Sequence, residues 1–116
     1  MITENNNGDI CVSDRNANTV TVVDRTGRVR FRYYGTRAVI KPSFGPTGIV
    51  TDSLSQIIVS DYNNDCLHII DQNGKFLKCV DNCGLHKPWG LSVDSKDRLW
   101  VALTGENVIK VIKYLK

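Results

Sequence analysis

The feature that most constrains this chain is an internal repeat. The stretch from Gly8 to Gly27, GDICVSDRNANTVTVVDRTG, aligns without a gap on the stretch ending at Gly74 at an offset of 47 (61 − 14), pairing Asp14 with Asp61 and Val22 with Ile69. A second shift of 42 (90 − 48) lays the central copy on the C-terminal part, pairing Gly48 with Gly90, Asp52 with Asp94 and Val59 with Val101. Three copies of one unit account for nearly every residue. Self-similarity at such a period means that each copy is one supersecondary unit that buries its apolar surface only by stacking on its neighbours.

Within each copy the apolar pattern has the period of strands, and no segment reads as a helix. The first unit offers strands at Ile2 to Asn5, Asp9 to Ser13, Thr19 to Asp24 and Arg28 to Tyr34. The second repeats them at Thr47 to Asp52, Gln56 to Ser60, Cys66 to Asp71 and Lys75 to Val80. The third has Gly90 to Asp94, Arg98 to Ala102 and Asn107 to Lys113, and lacks a fourth strand. Four short antiparallel strands per period of this length describe a β-propeller blade. Adjacent apolar residues at Val22-Val23, Ile69-Ile70 and Val111-Ile112 fit that architecture, because a sheet covered on both faces needs apolar side chains on both. The expected fold is all-β: a partial propeller of about three four-stranded antiparallel blades over residues 1–46, 47–88 and 89–116, the last without its outer strand.

Composition narrows the setting. At 116 residues, 41% hydrophobic and 23% charged, the chain is long enough for one small globular domain and too apolar for a disordered one. A net charge of +3 does not by itself argue for nucleic acid, which needs a basic patch. The apolar runs are too short to span a bilayer as helices, and MITENNNGDI has neither the basic start nor the apolar core of a signal peptide. The expectation is a soluble cytoplasmic protein. Cys11, Cys66, Cys79 and Cys83 follow no repeated spacing, so reduced thiols are expected rather than a framework of bridges.

The units GPTGIVTDSLSQIIVSDYNNDCLHIIDQNGKFLKCV and KPWGLSVDSKDRLWVALTGENVIKVI resemble NHL repeats in three features. These are a Pro-x-Gly-apolar opening, a small-residue-Asp bend after the second strand, and an Asp-x-x-Gly hairpin. The first unit lacks the Pro-x-Gly, and the third has Leu103 where the bend Asp should stand. The texture is most similar to the C-terminal propellers of tripartite-motif (TRIM-NHL) proteins. That resemblance implies a non-catalytic module that binds protein partners, such as ubiquitination substrates, or single-stranded RNA, with any ligase activity residing in RING segments outside this sequence.

In a propeller, the loops after second strands and those between blades share one rim. That rim collects Arg15, Arg37, Lys41, Phe44, Tyr62, Asn63, His86, Lys87 and Trp89. Cations with aromatics between them suit phosphates and stacked bases, and equally a protein surface. Phe44 and Trp89 adjoin the blade openings, so packing between blades is the competing reading for both. Of these, Arg15, Arg37, Lys41, Tyr62, Asn63, His86, Lys87 and Trp89 are the candidate ligand-binding residues, with protein slightly favoured over RNA because the basic rim is modest.

Other constellations carry less. Arg28, Arg30 and Arg32 share one face of an outer strand, where charge opposes edge-to-edge aggregation. Asp14 and Asp61 are expected to hold local Asx turns. His68, aligned with Thr21 and Lys110, is expected to face solvent. Cys79, Cys83 and His86 have no evident fourth metal ligand, and the serines have no nearby His for a triad. An alternative reading, a metal-dependent lactonase or lyase with its ion in a central channel, would draw on Glu4, Thr51, Asp52, Ser92 and Asp94, a plain set for that task. No metal, cofactor or catalytic residue is expected. Because three blades do not close a ring, the missing blades are expected from a longer chain or from a second copy.

Overall fold

Short apolar segments separated by Asp-, Asn- and Gly-bearing turns fold here into successive antiparallel ribbons. The structure, a computed structural model, describes residues 1–36, 43–81, 84–105 and 107–114. Among them are eleven strands and no helix. Blade 1 contains β1 (Ile2–Glu4), β2 (Ile10–Asp14), β3 (Thr19–Val23) and β4 (Val29–Tyr33), hydrogen-bonded in that order. Blade 2 contains β5 (Pro46–Thr51), β6 (Ile57–Asp61), β7 (Cys66–Ile70) and β8 (Phe76–Val80), and blade 3 contains β9 (Pro88–Val93), β10 (Leu99–Leu103) and β11 (Val108–Ile112). The all-β partial propeller is thus the observed architecture. The inner strands of blades 2 and 3 start on Pro46 and Pro88, slightly earlier than expected. Proline fits there because the first residue of a strand need not donate to the ladder.

The turns use one device repeatedly. Asp24, Asp52, Asp71 and Asp94 each accept, through Oδ1, the backbone N–H groups two and four residues ahead, at 2.9–3.1 Å. The residue three positions on is left-handed in all four turns: Gly27, Ser55, Gly74 and Asp97, with φ between 55° and 94°. A second left-handed position precedes each third strand, at Asn18, Asp65 and Asn107, which occupy equivalent sites in the repeat with φ of 52–53°. Asn and Asp tolerate this region better than other residues with a Cβ.

Each blade is apolar on two faces, and the faces sort cleanly. Cys11, Val20, Val22 and Tyr33 of blade 1 meet Ile49, Ile57, Val59 and Ile70 of blade 2, with Phe44 closing that cluster. Ile58, Leu67, Ile69 and Val80 of blade 2 meet Leu99, Val101, Leu103 and Ile112 of blade 3, with Leu85 and Tyr114. Alternate residues of β6 therefore serve different neighbours, and every residue of β6 and β7 is buried. A one-residue slip would exchange the two cores.

Hydroxyl groups stitch the inner strands together at the same interfaces. Ser13 donates to the Thr47 carbonyl across the first interface, and Ser60, its repeat equivalent, donates to the Trp89 carbonyl across the second at 2.7 Å. Blade 3 has Ala102 at this position. The strand-to-strand approach is close: a Cβ on Gly48 would lie 2.3 Å from the Trp89 carbonyl oxygen and 3.0 Å from the Leu91 nitrogen. Glycine is required there by space rather than by φ.

One expectation is corrected and another extended. His68 is fully buried rather than solvent-facing, because both faces of β7 are covered. The arginine stripe lies on the edge strand β4 as expected but does more than charge it: Arg30, though exposed like Arg32, pairs with Asp9 and reaches the Gln72 carbonyl and Asn73 side chain of blade 2.

Gly48→Ala is expected to destabilise the chain by about 2 kcal/mol or more, since backbone cannot retreat as a flexible side chain can. A thermal melt unchanged from the parent would refute the close approach.

Candidate functional site

Two groups of side chains stand out, one closed and one open. The closed group lies between blades 1 and 2. Tyr33 Oη is 2.7 Å from His68 Nδ1, and His68 Nε2 is 2.8 Å from Asp61 Oδ2. Asp61 also accepts from the Gly45 N–H at 3.0 Å and from Asn64 Nδ2 at 2.8 Å. The rings of Tyr33, Phe44 and Phe76 surround the imidazole edge-on, at centroid separations of 5.6, 4.8 and 6.3 Å. Asp61 is therefore more than the local turn-former expected. Asp14, its repeat equivalent, stays exposed, and among the described residues its carboxylate accepts the Ala17 N–H.

The arrangement resembles an acid–base relay in composition, but its burial makes it a polar rivet. A buried carboxylate must be compensated by donors, and three converge on this one. Cys66 lies beside the pair, and Asp61, Cys66 and His68 bring ligand atoms within 4.8 Å of one another. Burial raises the pKa of the Cys66 thiol first, with Cys79 and Asp61 adding to the effect. Burial likewise pushes the Cys11 thiol up to about 11, with Asp9 contributing. Cys11, Cys66 and Cys79 are free thiols, and Cys83 lies outside the described residues.

The open group sits on the rim and draws one residue or more from each blade. Arg15, in the β2–β3 loop, places its guanidinium 4.4 Å from the Tyr62 ring centroid and 5.4 Å from that of Trp89. Tyr62, in the β6–β7 loop, meets Trp89 of β9 edge-to-face at 5.5 Å. Lys87 brings its ammonium to 5.0 Å from the Tyr62 centroid. Local structure aims each member: Lys87 adopts φ 51° immediately before Pro88, with its N–H held by Asp65 Oδ1 at 2.8 Å and its carbonyl by Thr104. A left-handed residue without glycine is a strained choice that often marks a working position. Beneath Arg15 and Trp89 lies a groove of about 150 Å³, lined also by Met1, Ser13, Pro46 and Thr47.

Four of the sequence-predicted site residues, Arg15, Tyr62, Lys87 and Trp89, are thus brought together. Asn63 sits next to them but spends its amide on the Ser43 carbonyl at 3.0 Å. His86 points to Asp65 at 3.7 Å and is largely exposed. Arg37 and Lys41 lie outside the described residues. Phe44 is buried among the blades, as its packing alternative required, whereas Trp89 keeps part of its surface at the rim. The groove-lining Ser13 and Thr47 carried one legible signal, the repetition of serine at positions 13 and 60.

Two of the residues suggested for a central metal are otherwise engaged. Asp52 accepts from Leu54, Gln56 and the Tyr114 hydroxyl, and Asp94 from Lys96, Arg98 and the Trp100 indole. Partial desolvation opposes ionisation of Asp94, but the Arg98 and Trp100 hydrogen bonds outweigh it and hold the carboxyl below its usual range.

Asp61→Ala is expected to cost about 3 kcal/mol or more, because it leaves buried donors without a partner. Asp14→Ala at the equivalent exposed bend should cost about 1 kcal/mol or less, and equal losses in urea unfolding would refute the distinction. In the folded protein Cys11 and Cys66 should resist a thiol-specific reagent and react once denatured; rapid native labelling of either would contradict their burial.

No family model matches the sequence, and no curated protein matches it. Solved structures do. A streptogramin B lyase structure aligns over 97% of this chain and 36% of its own, with 21% identity and a TM-score of 0.82. Virginiamycin B lyase from Staphylococcus aureus aligns over 97% and 37%, with 19% identity and a TM-score of 0.82. Kuenenia stuttgartiensis hydrazine synthase aligns over 97% and 32%, with 24% identity and a TM-score of 0.76. The chain spans little more than a third of the length of the two lyases. At these identities the likeness speaks to fold alone, and the fold it supports is a β-propeller, of which this chain forms three neighbouring blades.

Proposed function

We propose that the chain is a recognition module that binds a segment of a partner protein across its rim. The observation that carries this reading is the Arg15–Tyr62–Lys87–Trp89 cluster, assembled from all three blades beside a shallow groove that Arg15 and Trp89 help to line. Aromatic and Arg side chains held rigid at a surface are the usual anchors of protein interfaces. Their cost of ordering is already met, because each ring is fixed by a neighbouring cation or ring. Among the described residues no carboxylate forms an ion pair with Arg15 or Lys87, so the cluster suits an extended segment with an acidic side chain beside an apolar one.

The likeness of the repeats to TRIM-NHL propellers supports a partner presented for ubiquitination, with ligase chemistry supplied elsewhere. RNA is the weaker occupant. The Tyr62 face that a base would stack upon is covered by Arg15 and Lys87, and Arg30, the most central cation of the β4 stripe, is committed to Asp9. The reading is of a binding surface rather than a catalytic one, since the Tyr33–His68–Asp61 group is sealed from substrate.

Selection of a phage-displayed random peptide library against the purified chain tests it. Enriched peptides should carry Asp or Glu beside apolar residues, and Arg15→Ala or Tyr62→Ala should weaken them by about tenfold or more. Peptides indifferent to both substitutions would defeat the proposal. Tight binding of oligouridylate that falls steeply with salt would instead assign the rim to RNA.

A further inference from the structure

Blade 3 leaves bare the kind of face that blade 2 buries. Trp100, Ile109 and Val111 are 41%, 67% and 48% exposed, yet they occupy the repeat positions of Ile58, Leu67 and Ile69, which are sealed against blade 3. The Trp100 indole N–H is satisfied by Asp94, so what the face offers is apolar. Shallow grooves of about 400 and 220 Å³ run along it, lined by Trp89, Gly90, Trp100, Ala102, Val108 and Ile109. Gly90 repeats Gly48, but where Gly48 is pressed by a carbonyl of the next blade, the nearest atom to a Cβ on Gly90 is 4.0 Å away. Space for another blade is present.

The opposite end bears the matching half. Ile2, Ile10, Val12 and Val23 of blade 1 stand at the positions of Ile49, Ile57, Val59 and Ile70, with which blade 2 receives blade 1. Ile2 is 69% exposed, and the other three are partly exposed. The two open faces are therefore the two halves of an interface that the chain already forms twice within itself.

We infer that a second copy of this chain covers both faces, blade 3 of each copy packing on blade 1 of the other about a two-fold axis. Six blades result, within the range of four to eight at which propellers close. A two-fold ring has two seams and leaves no open end, which separates it from head-to-tail growth into filaments. Stable associations bury on the order of 1,000 Å² or more, and here two seams share that burial. The inference is independent of what the rim binds.

The test uses the whole chain and two variants, Trp100→Asp on one face and Ile10→Glu on the other. Light scattering should give twice the chain mass for the parent and the chain mass for either variant, each retaining the strand signal in circular dichroism. Mixing the two variants should restore a dimer, because one seam then joins two unaltered faces and the other carries both lesions. A monomeric parent, a parent that grows beyond a dimer with concentration, variants that remain dimeric, or a mixture that stays monomeric would each overturn the inference.

Discussion

Blade 2 depends on being covered from both sides at once. Its central strands, β6 and β7, have no solvent face, so Ile57, Val59 and Ile70 require blade 1, while Ile58, Leu67 and Ile69 require blade 3. An isolated four-stranded ribbon of this composition would expose two apolar surfaces and would not persist in water. Stability is therefore a property of the interfaces more than of any blade, as expected for stacked repeats. The exposed apolar residues of blades 1 and 3 occupy repeat positions that are buried between blades elsewhere in the chain.

Polar groups enter these interfaces only where they are fully matched. The Ser13 and Ser60 hydroxyls sit at equivalent positions and bind equivalent carbonyls of the next inner strand, which fixes the spacing between blades near the axis. Further out, Tyr33, His68 and Asp61 join the first two blades through a chain of hydrogen bonds. Apolar contacts alone are tolerant of small shifts, whereas such bonds have narrow geometry and specify one arrangement. The rim cluster inherits that rigidity. Arg15 reaches Tyr62 and Trp89 only because the two loops and the strand that carry them are held at set distances by the packed blades.

Much of the fold was legible in the chain itself. Repeat offsets, strand segments, hairpin glycines and the two-sided apolar pattern all follow from local chemistry, since Asp-x-x-Gly turns and paired apolar residues mean the same thing wherever they occur. Arg15 and Tyr62 occupy equivalent loop positions in the repeat, so their shared rim was legible, whereas Trp89, adjoining a blade opening, read equally as packing between blades. Less accessible was what each side chain would do on arrival. Asn63 and Tyr62 are sequence neighbours, yet one staples a loop and the other packs its ring against Arg15 and Lys87.

His68 marks the boundary between the two kinds of knowledge. Its repeat equivalents are Thr21 and Lys110, so the pattern placed a polar residue mid-strand and suggested solvent. Only packing brought Tyr33 from the neighbouring blade and Asp61 from the neighbouring strand to within hydrogen-bond reach of its two nitrogens. By itself the sequence determined a repeated, two-faced, four-stranded unit, because that is encoded by residues close together in the chain. The tertiary structure decided which polar residues became buried bonds and which became a surface, because those outcomes depend on side chains brought in from other strands and other blades.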